Sequence, residues 1–280
     1  MLFRSVSFGK LAVTPEGSVE YAVEGVGADL VVRPFGWKGT VARLRRFVED
    51  AARIHFGIQS TVLLENNRRR RDPAHLGAGT AWFDPDGDGK VRELEEGVLT
   101  AAACYLAMLE APVILPPRDQ GLRARWANGN RLFQTVGCDG CHREVMPLNR
   151  RVWRETADSS AGEVVINVLG DGDQPKGAPE VRLFSDLKRH EMGAALADGH
   201  DNEDRLPRGV FLTRPLWGLA DSAPYLHDGR AVTIPEAILL HGGEAQAARD
   251  AFAALSRDEQ ADMHVFLLSL TREPRPRFAR

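Results

Sequence analysis

The stretch Cys138-Asp139-Gly140-Cys141-His142 decides how the rest of the chain is read. It is a C-x-x-C-H run, the pattern that attaches a c-type haem. Two thiols on one helical turn can both bond the vinyl groups of a single porphyrin. The adjoining histidine then falls beneath the iron and supplies the proximal nitrogen. Any other spacing loses either a thioether or the ligand. Two other chemistries use close cysteine pairs. A zinc site needs two further ligands, usually a second close pair, and the only other cysteine is Cys104. A thioredoxin-like redox pair sits near a βαβ pattern, and none is visible here. One covalent haem c on Cys138 and Cys141, with iron on His142, is the expectation.

Outward from the motif, the flanking segments look like a cytochrome c domain. Residues 121–136 have a helical pattern with Trp126, Leu132 and Phe133 on one side, leading straight into Cys138. Residues 143–182 are rich in glycine and proline, and only Glu163 to Leu169 looks strand-like. A loop of such length is often functional and could wrap a haem edge. Thr233-Ile-Pro-Glu236 and Ser256-Arg-Asp-Glu259 are capping boxes, each opening a helix. The second helix, about 257–270, offers Met263, Val265 or Phe266, Leu267 and Leu270 for burial. A terminal helix packed across the first is the cytochrome c arrangement. The domain is expected over 121–274, with 275–280 as a tail.

The N-terminal part, 1–115, has a different character. Val19, Tyr21 and Val23 alternate with polar residues, Gly25 to Gly27 supply a turn and Leu30 to Val32 follow, which predicts a short hairpin. Val41, Leu44, Val48, Ala51 and His55 recur at helical spacing over 39–56, with His55 as a core or boundary residue. Arg68 to Arg71 form a solvated or acid-docked loop, since four charges without interleaved aromatics are a weak nucleic-acid footprint. Asp84-Pro-Asp86-Gly-Asp88-Gly89-Lys90 with Glu95 matches an EF-hand loop. Asp84, Asp86 and Asp88 bring carboxylates to one hard cation, Gly89 turns the chain, Lys90 offers its carbonyl, and Glu95 binds bidentately. A lone structural Ca2+ is expected. A helix over 93–110 follows, with Leu94, Val98, Ala101, Ala102, Tyr105 and Leu109 as its buried stripe and Cys104 as a small core residue. Residues 111–120, with three prolines, mark the boundary between the two parts. The fold class expected is mainly α: a cytochrome c-like C-terminal domain with long loops, and a smaller α-rich N-terminal region with the hairpin and the calcium-like loop.

Bulk properties narrow the partners. The 280 residues carry a net charge of −3, so no basic field points to nucleic acid or to an anionic membrane. Three cysteines, two of them in the motif, leave no disulfide framework. No apolar run is long enough to span a membrane, and the start lacks the apolar core of a leader peptide. Covalent haem attachment in bacteria happens outside the cytoplasm. A periplasmic or otherwise exported protein whose N-terminus is truncated or misassigned is therefore expected.

Phe211-Leu-Thr-Arg-Pro-Leu-Trp-Gly-Leu219, Ala223-Pro-Tyr-Leu-His-Asp-Gly-Arg230, Thr233-Ile-Pro-Glu-Ala237 and His241-Gly-Gly-Glu-Ala245 together resemble the di-haem oxidoreductase family, a relative of the bacterial di-haem cytochrome c peroxidases. Gly36-Trp37-Lys38-Gly39, Phe56-Gly57-Ile58 and the calcium-like loop resemble its more N-terminal parts. The family usually carries two C-x-x-C-H motifs, and this chain has one. The resemblance implies that His241 is the sixth iron ligand, with Met192 and its neighbour His190 as the alternatives. It also implies that Trp217 lies near the haem edge and that His227 and Arg230 line the pocket, although His-Asp-Gly-Arg is equally ordinary turn chemistry. Histidine–histidine ligation would lower the potential relative to histidine–methionine. Three functions follow as expectations. The first is an oxidoreductase component passing electrons to or from a small redox protein or cytochrome. The second is a complete peroxidase or oxidase with a further haem upstream. The third is a non-catalytic haem and calcium module.

Overall fold

The computed structural model describes residues 2–3, 5–61, 89–90, 93–156, 162–168, 179–199 and 206–272. Among these, six α-helices form: α1 (Leu44–Phe56), α2 (Glu96–Ala107), α3 (Gln120–Thr135), α4 (Ile234–Leu239), α5 (Gln246–Ala253) and α6 (Arg257–Leu268). Twelve strands also form, paired antiparallel into six two-stranded sheets. The fold is therefore mixed α/β, which corrects the expectation of a mainly α chain. The physical reason is strand length. No strand exceeds five residues, too short for alternation to stand out. Some partners are also far apart in sequence. Pro112–Ile114 pairs with Leu270–Arg272, and Arg189–Glu191 with Val210–Leu212. Val19–Val23 is a strand as expected, but it pairs with Gly9–Val13 before it and not with Leu30 to Val32 after the glycine turn, which form no strand. Val152–Thr156 pairs with Glu163–Asn167 inside the stretch expected to be mostly loop.

The chain divides into two units. The first comprises Met1–Thr40, Glu110–Asn149 and Pro175–Arg280. Its core is the crossing of α3 and α6. Asp119 caps α3 by accepting the Leu122 N–H at 2.9 Å, and both sequence capping boxes form, Thr233 with Glu236 and Ser256 with Glu259. Leu132, Phe133, Phe184, Ile234, Phe252, Met263, Phe266 and Leu270 make one buried cluster. Phe133, Phe184 and Phe266 meet pairwise at ring-centroid separations of 5.4–6.1 Å in tilted or edge-on geometry, the arrangement favoured by aromatic quadrupoles. Trp126 packs on Phe266 and donates its indole N–H to Ser269 Oγ at 2.8 Å. The helices approach this closely because residue 129 is glycine. A Cβ there would stand 2.1 Å from the Asp262 carbonyl oxygen.

The second unit comprises Val41–Leu109 and Arg150–Gln174. Here α1 presents a different face from the one its apolar spacing suggested. Its buried residues are Arg45 and Glu49, whereas His55 is exposed. Arg45 bonds Glu155 Oε1 at 3.1 Å and Thr100 Oγ1 at 2.7 Å, so the buried guanidinium is paired as burial demands. In α2 the buried positions are Leu99 and Ala103, while Val98 and Tyr105 of the expected stripe are exposed. Cys104 is half-buried.

Filling position 129 should break the helix crossing. Gly129→Ala is expected to cost about 1–3 kcal/mol by overpacking, read as a fall in the urea unfolding midpoint. Wild-type stability in this variant would show that the crossing does not depend on the close approach.

Candidate haem site

The C-x-x-C-H run folds as a single tight turn. Gly137 enters it at φ 87, a left-handed value that glycine adopts without steric cost. Cys138–Gly140 then form a 3-10 turn, and the His142 N–H reaches back to the Cys138 carbonyl at 2.9 Å. The two thiols therefore lie on one turn and are not joined to each other. Burial, then Asp139 and Cys141, push the Cys138 thiol up to about 12. A redox C-x-x-C needs the opposite shift, because its attacking sulfur must be a thiolate.

His142 is the best-defined group of the site. Its Nδ1 is 3.1 Å from the Phe184 carbonyl oxygen. A carbonyl only accepts, so Nδ1 carries the proton and donates it. Burial first, then the nearby His241, hold the imidazole pKa down to about 4. The ring is therefore neutral near pH 7, and its lone pair sits on Nε2. This is the tautomer and orientation that iron-ligating histidines take, with the second ring nitrogen fixed by a backbone carbonyl.

The acceptor lies on a strap that sequence inspection did not single out. Leu183–Lys188 are six consecutive buried residues. Phe184 and Leu187 take φ of 51° and 56°, unusual for residues with a Cβ and costing roughly 1–2 kcal/mol each. Hydrogen bonds hold the strap against that cost. Phe184 and Ser185 N–H groups donate to the carbonyls of Glu144 and Arg143, and Ser185 Oγ–H donates to the Thr213 carbonyl at 2.6 Å.

His241 follows α4 and reproduces the same arrangement. Its Nδ1 donates to the Ala237 carbonyl at 2.7 Å, one turn back. Burial lowers its pKa, so it too is neutral with its lone pair on Nε2. His190 differs. Its Nδ1 is 2.7 Å from Glu244 Oε2 and its Nε2 is 2.9 Å from Asp186 Oδ2. Both nitrogens donate to carboxylates, so no lone pair is left for a metal. Burial opposes its charge, yet in the chain with Cys141 as a free thiol, Asp186, that thiol and Glu244 outweigh it and push the pKa up to about 11. Met192 is half-buried, and its N–H donates to the Gly209 carbonyl. Met146 and Met263 are buried in the two hydrophobic clusters.

The remaining sequence candidates lie in several places. His227 Nε2 is 3.1 Å from Asp198 Oδ1, and its ring stacks 4.4 Å from that of Phe211. Asp198 also pairs with the buried Lys38 at 2.8 Å. Arg230 pairs with Asp228 at 2.5 Å within its own turn and donates to the Ala195 carbonyl, which ties that turn to the segment before residue 196. Trp217 is exposed to about two fifths of its area. In the calcium-like loop, Asp84, Asp86 and Asp88 lie outside the described residues. Gly89 is described and takes φ 82, the turn that the sixth loop position needs. Lys90 is exposed, and Glu95 is exposed just before α2.

The residues fit a c-type haem. Two unbridged thiols share one turn, and two neutral, half-buried imidazoles each keep Nε2 available. The His190 network carries its own pH signature. Its folded pKa is raised above the ordinary 6.5. The stability it adds is thus complete below pH 6.5 and declines as pH rises towards the folded value. The difference in denaturation midpoint between wild type and His190→Gln should shrink between pH 6 and pH 10. A difference that widens with pH would contradict the charged state of His190.

The family described as "Di-haem oxidoreductase, putative peroxidase" matches residues 88–270, more than half of the chain. Among solved structures, a MauG-like protein associated with microbial copper homeostasis is 16% identical, with 96% of this chain and 79% of that chain covered at a TM-score of 0.42. Hydrazine synthase of Kuenenia stuttgartiensis is 21% identical, with 62% of this chain and 55% of that one covered at a TM-score of 0.38. This chain thus spans little more than half the length of the hydrazine synthase chain. No curated protein matches the sequence. No helix among the described residues is long and apolar enough to cross a membrane. The motif and the family match agree, and the chain belongs to the di-haem oxidoreductase family.

Proposed function

We propose that this protein is a c-type haem oxidoreductase component that carries electrons through one haem, held by thioethers from Cys138 and Cys141 and by His142 and His241. The haem would alternate between ferric and ferrous states and so move one electron at a time. The observation that carries the proposal is the matched state of the two histidines. Each is half-buried and held neutral, and each spends its Nδ1 proton on a backbone carbonyl.

The protein's own groups then have definite tasks. The Phe184 and Ala237 carbonyls fix the two ring orientations. The fixed tautomers keep protons off the Nε2 atoms, so no proton has to leave before a ligand bond forms. Ligation by both imidazoles would disfavour direct peroxide binding and would suit electron transfer at a lower potential than methionine ligation gives. The buried Phe133, Phe184 and Phe266 exclude water from the interior beside the motif. A small redox protein or cytochrome is the partner proposed, and an exported location follows from the requirement for thioether attachment. Asp84, Asp86, Asp88, the Lys90 carbonyl and Glu95 would bind a structural Ca2+, a proposal supported by the left-handed Gly89.

The family's di-haem character favours a second reading: a complete peroxidase whose other haem is carried outside this chain. A haem count on the full reading frame separates the two. In either case His241→Ala should leave the covalent haem in place and convert the ferric spectrum from low spin towards high spin, while Met192→Ala leaves it low spin. A His241→Ala spectrum identical to wild type would remove His241 from the iron.

A further inference from the structure

The two iron-ligand segments are joined by a second layer of contacts centred on His190. Glu244 stands three residues beyond His241 and uses both carboxylate oxygens. Oε2 accepts from His190 Nδ1 at 2.7 Å, and Oε1 accepts from the Glu191 N–H at 2.9 Å. On the other side of the ring, Asp186 Oδ2 accepts from His190 Nε2 at 2.9 Å, and Oδ1 accepts from the Lys188 N–H at 2.9 Å. Asp186 lies two residues past Phe184, whose carbonyl orients His142. A continuous path thus runs from the turn after His241, through one imidazole, to the strap that positions His142.

The backbones meet along the same seam. A Cβ at Gly243 would stand 2.1 Å from the Glu191 carbonyl oxygen, and one at Gly242 would stand 2.9 Å from that of Met192. Only glycines let the turn after His241 lie directly on residues 191–193. Cys141 touches this layer too: its sulfur, an Asp186 oxygen and a His190 nitrogen lie within 4.8 Å of one another. A metal ion among these three atoms is disfavoured, because His190 donates through both nitrogens and the thiol belongs to the haem motif.

We propose that Glu244–His190–Asp186 is a positioning clamp that holds His241 on the iron, with His190 as its keystone. The clamp rests on the assignment of His142 and His241 as the two ligands. Its effect is unequal. His142 is anchored by the adjoining thioether and by a strap with several further hydrogen bonds. His241 depends on α4, a six-residue helix, and on the turn that Glu244 staples. Loosening the clamp therefore releases His241 first.

The test uses the haem-loaded protein with His190→Gln and, because Glu244 is half-exposed and tolerates change, Glu244→Gln. Haem content by intact mass should equal wild type. The ferric spectrum should gain a high-spin fraction, and external imidazole should bind faster by about tenfold or more, the usual scale for losing a residue that orients a metal ligand. The control Arg249→Gln, in an exposed pair with Asp250, should change neither readout. A merely structural role would lower the thermal midpoint and leave spin state and imidazole uptake unchanged, and that result overturns the clamp. A wild-type protein that is high spin or already open to imidazole overturns both the clamp and the bis-histidine assignment. A closed, low-spin wild type with unaltered variants overturns the clamp alone.

Discussion

The structure turns on one hydrogen bond, from His142 Nδ1–H to the carbonyl oxygen of Phe184. In a buried site a neutral imidazole can place its proton on either nitrogen, and the two tautomers have opposite chemistry. A backbone carbonyl selects one of them without introducing charge. That choice leaves Nε2 as a donor of electrons to a metal. The carbonyl reaches the ring because Phe184 adopts a left-handed backbone, at a cost the surrounding strap offsets through its bonds to residues 143, 144 and 213. The aromatic side chain of the same residue completes the triangle with Phe133 and Phe266. One residue thus couples the packing of the α3–α6 core to the protonation state of the site.

The charged groups nearby follow a consistent division. His142 and His241 bond carbonyls and are held neutral. His190 bonds two carboxylates and is held charged. The contrast follows the acceptor each ring meets. His227 meets one carboxylate, shared with buried Lys38, and packs against Phe211. This joins the Gly36-Trp37-Lys38-Gly39 stretch to the His-Asp-Gly turn, two pieces of sequence that otherwise look unrelated.

Much of the site was legible because its chemistry is local. Cys138, Cys141 and His142 are fixed by spacing within one turn, and the capping boxes at Thr233 and Ser256 are fixed within four residues. The strand Val19–Val23 was visible for the same reason, although its partner lies before it, at Gly9–Val13, and not after the glycine turn. What was not legible depends on contacts between distant segments. A two- to five-residue strand pairing across the chain leaves little periodic trace, so a mixed α/β fold read as mainly α. The stripe of α1 misled because Arg45 finds Glu155 more than a hundred residues away, which allows a guanidinium to be buried where an aliphatic side chain would be expected. Phe184 could not be found from its side chain, since its backbone carbonyl does the work. His190 looked like a candidate ligand until its two carboxylate partners were placed around it.

The central claim is that two imidazoles, from residues 142 and 241, grip the iron of one thioether-bound haem. The most direct measurement is magnetic circular dichroism of the ferric holoprotein in the near infrared, with intact mass recorded on the same sample. The account predicts the mass of the chain plus a single haem and the charge-transfer band of a low-spin bis-imidazole iron. A histidine–methionine band, or a mass with no haem added, would contradict it.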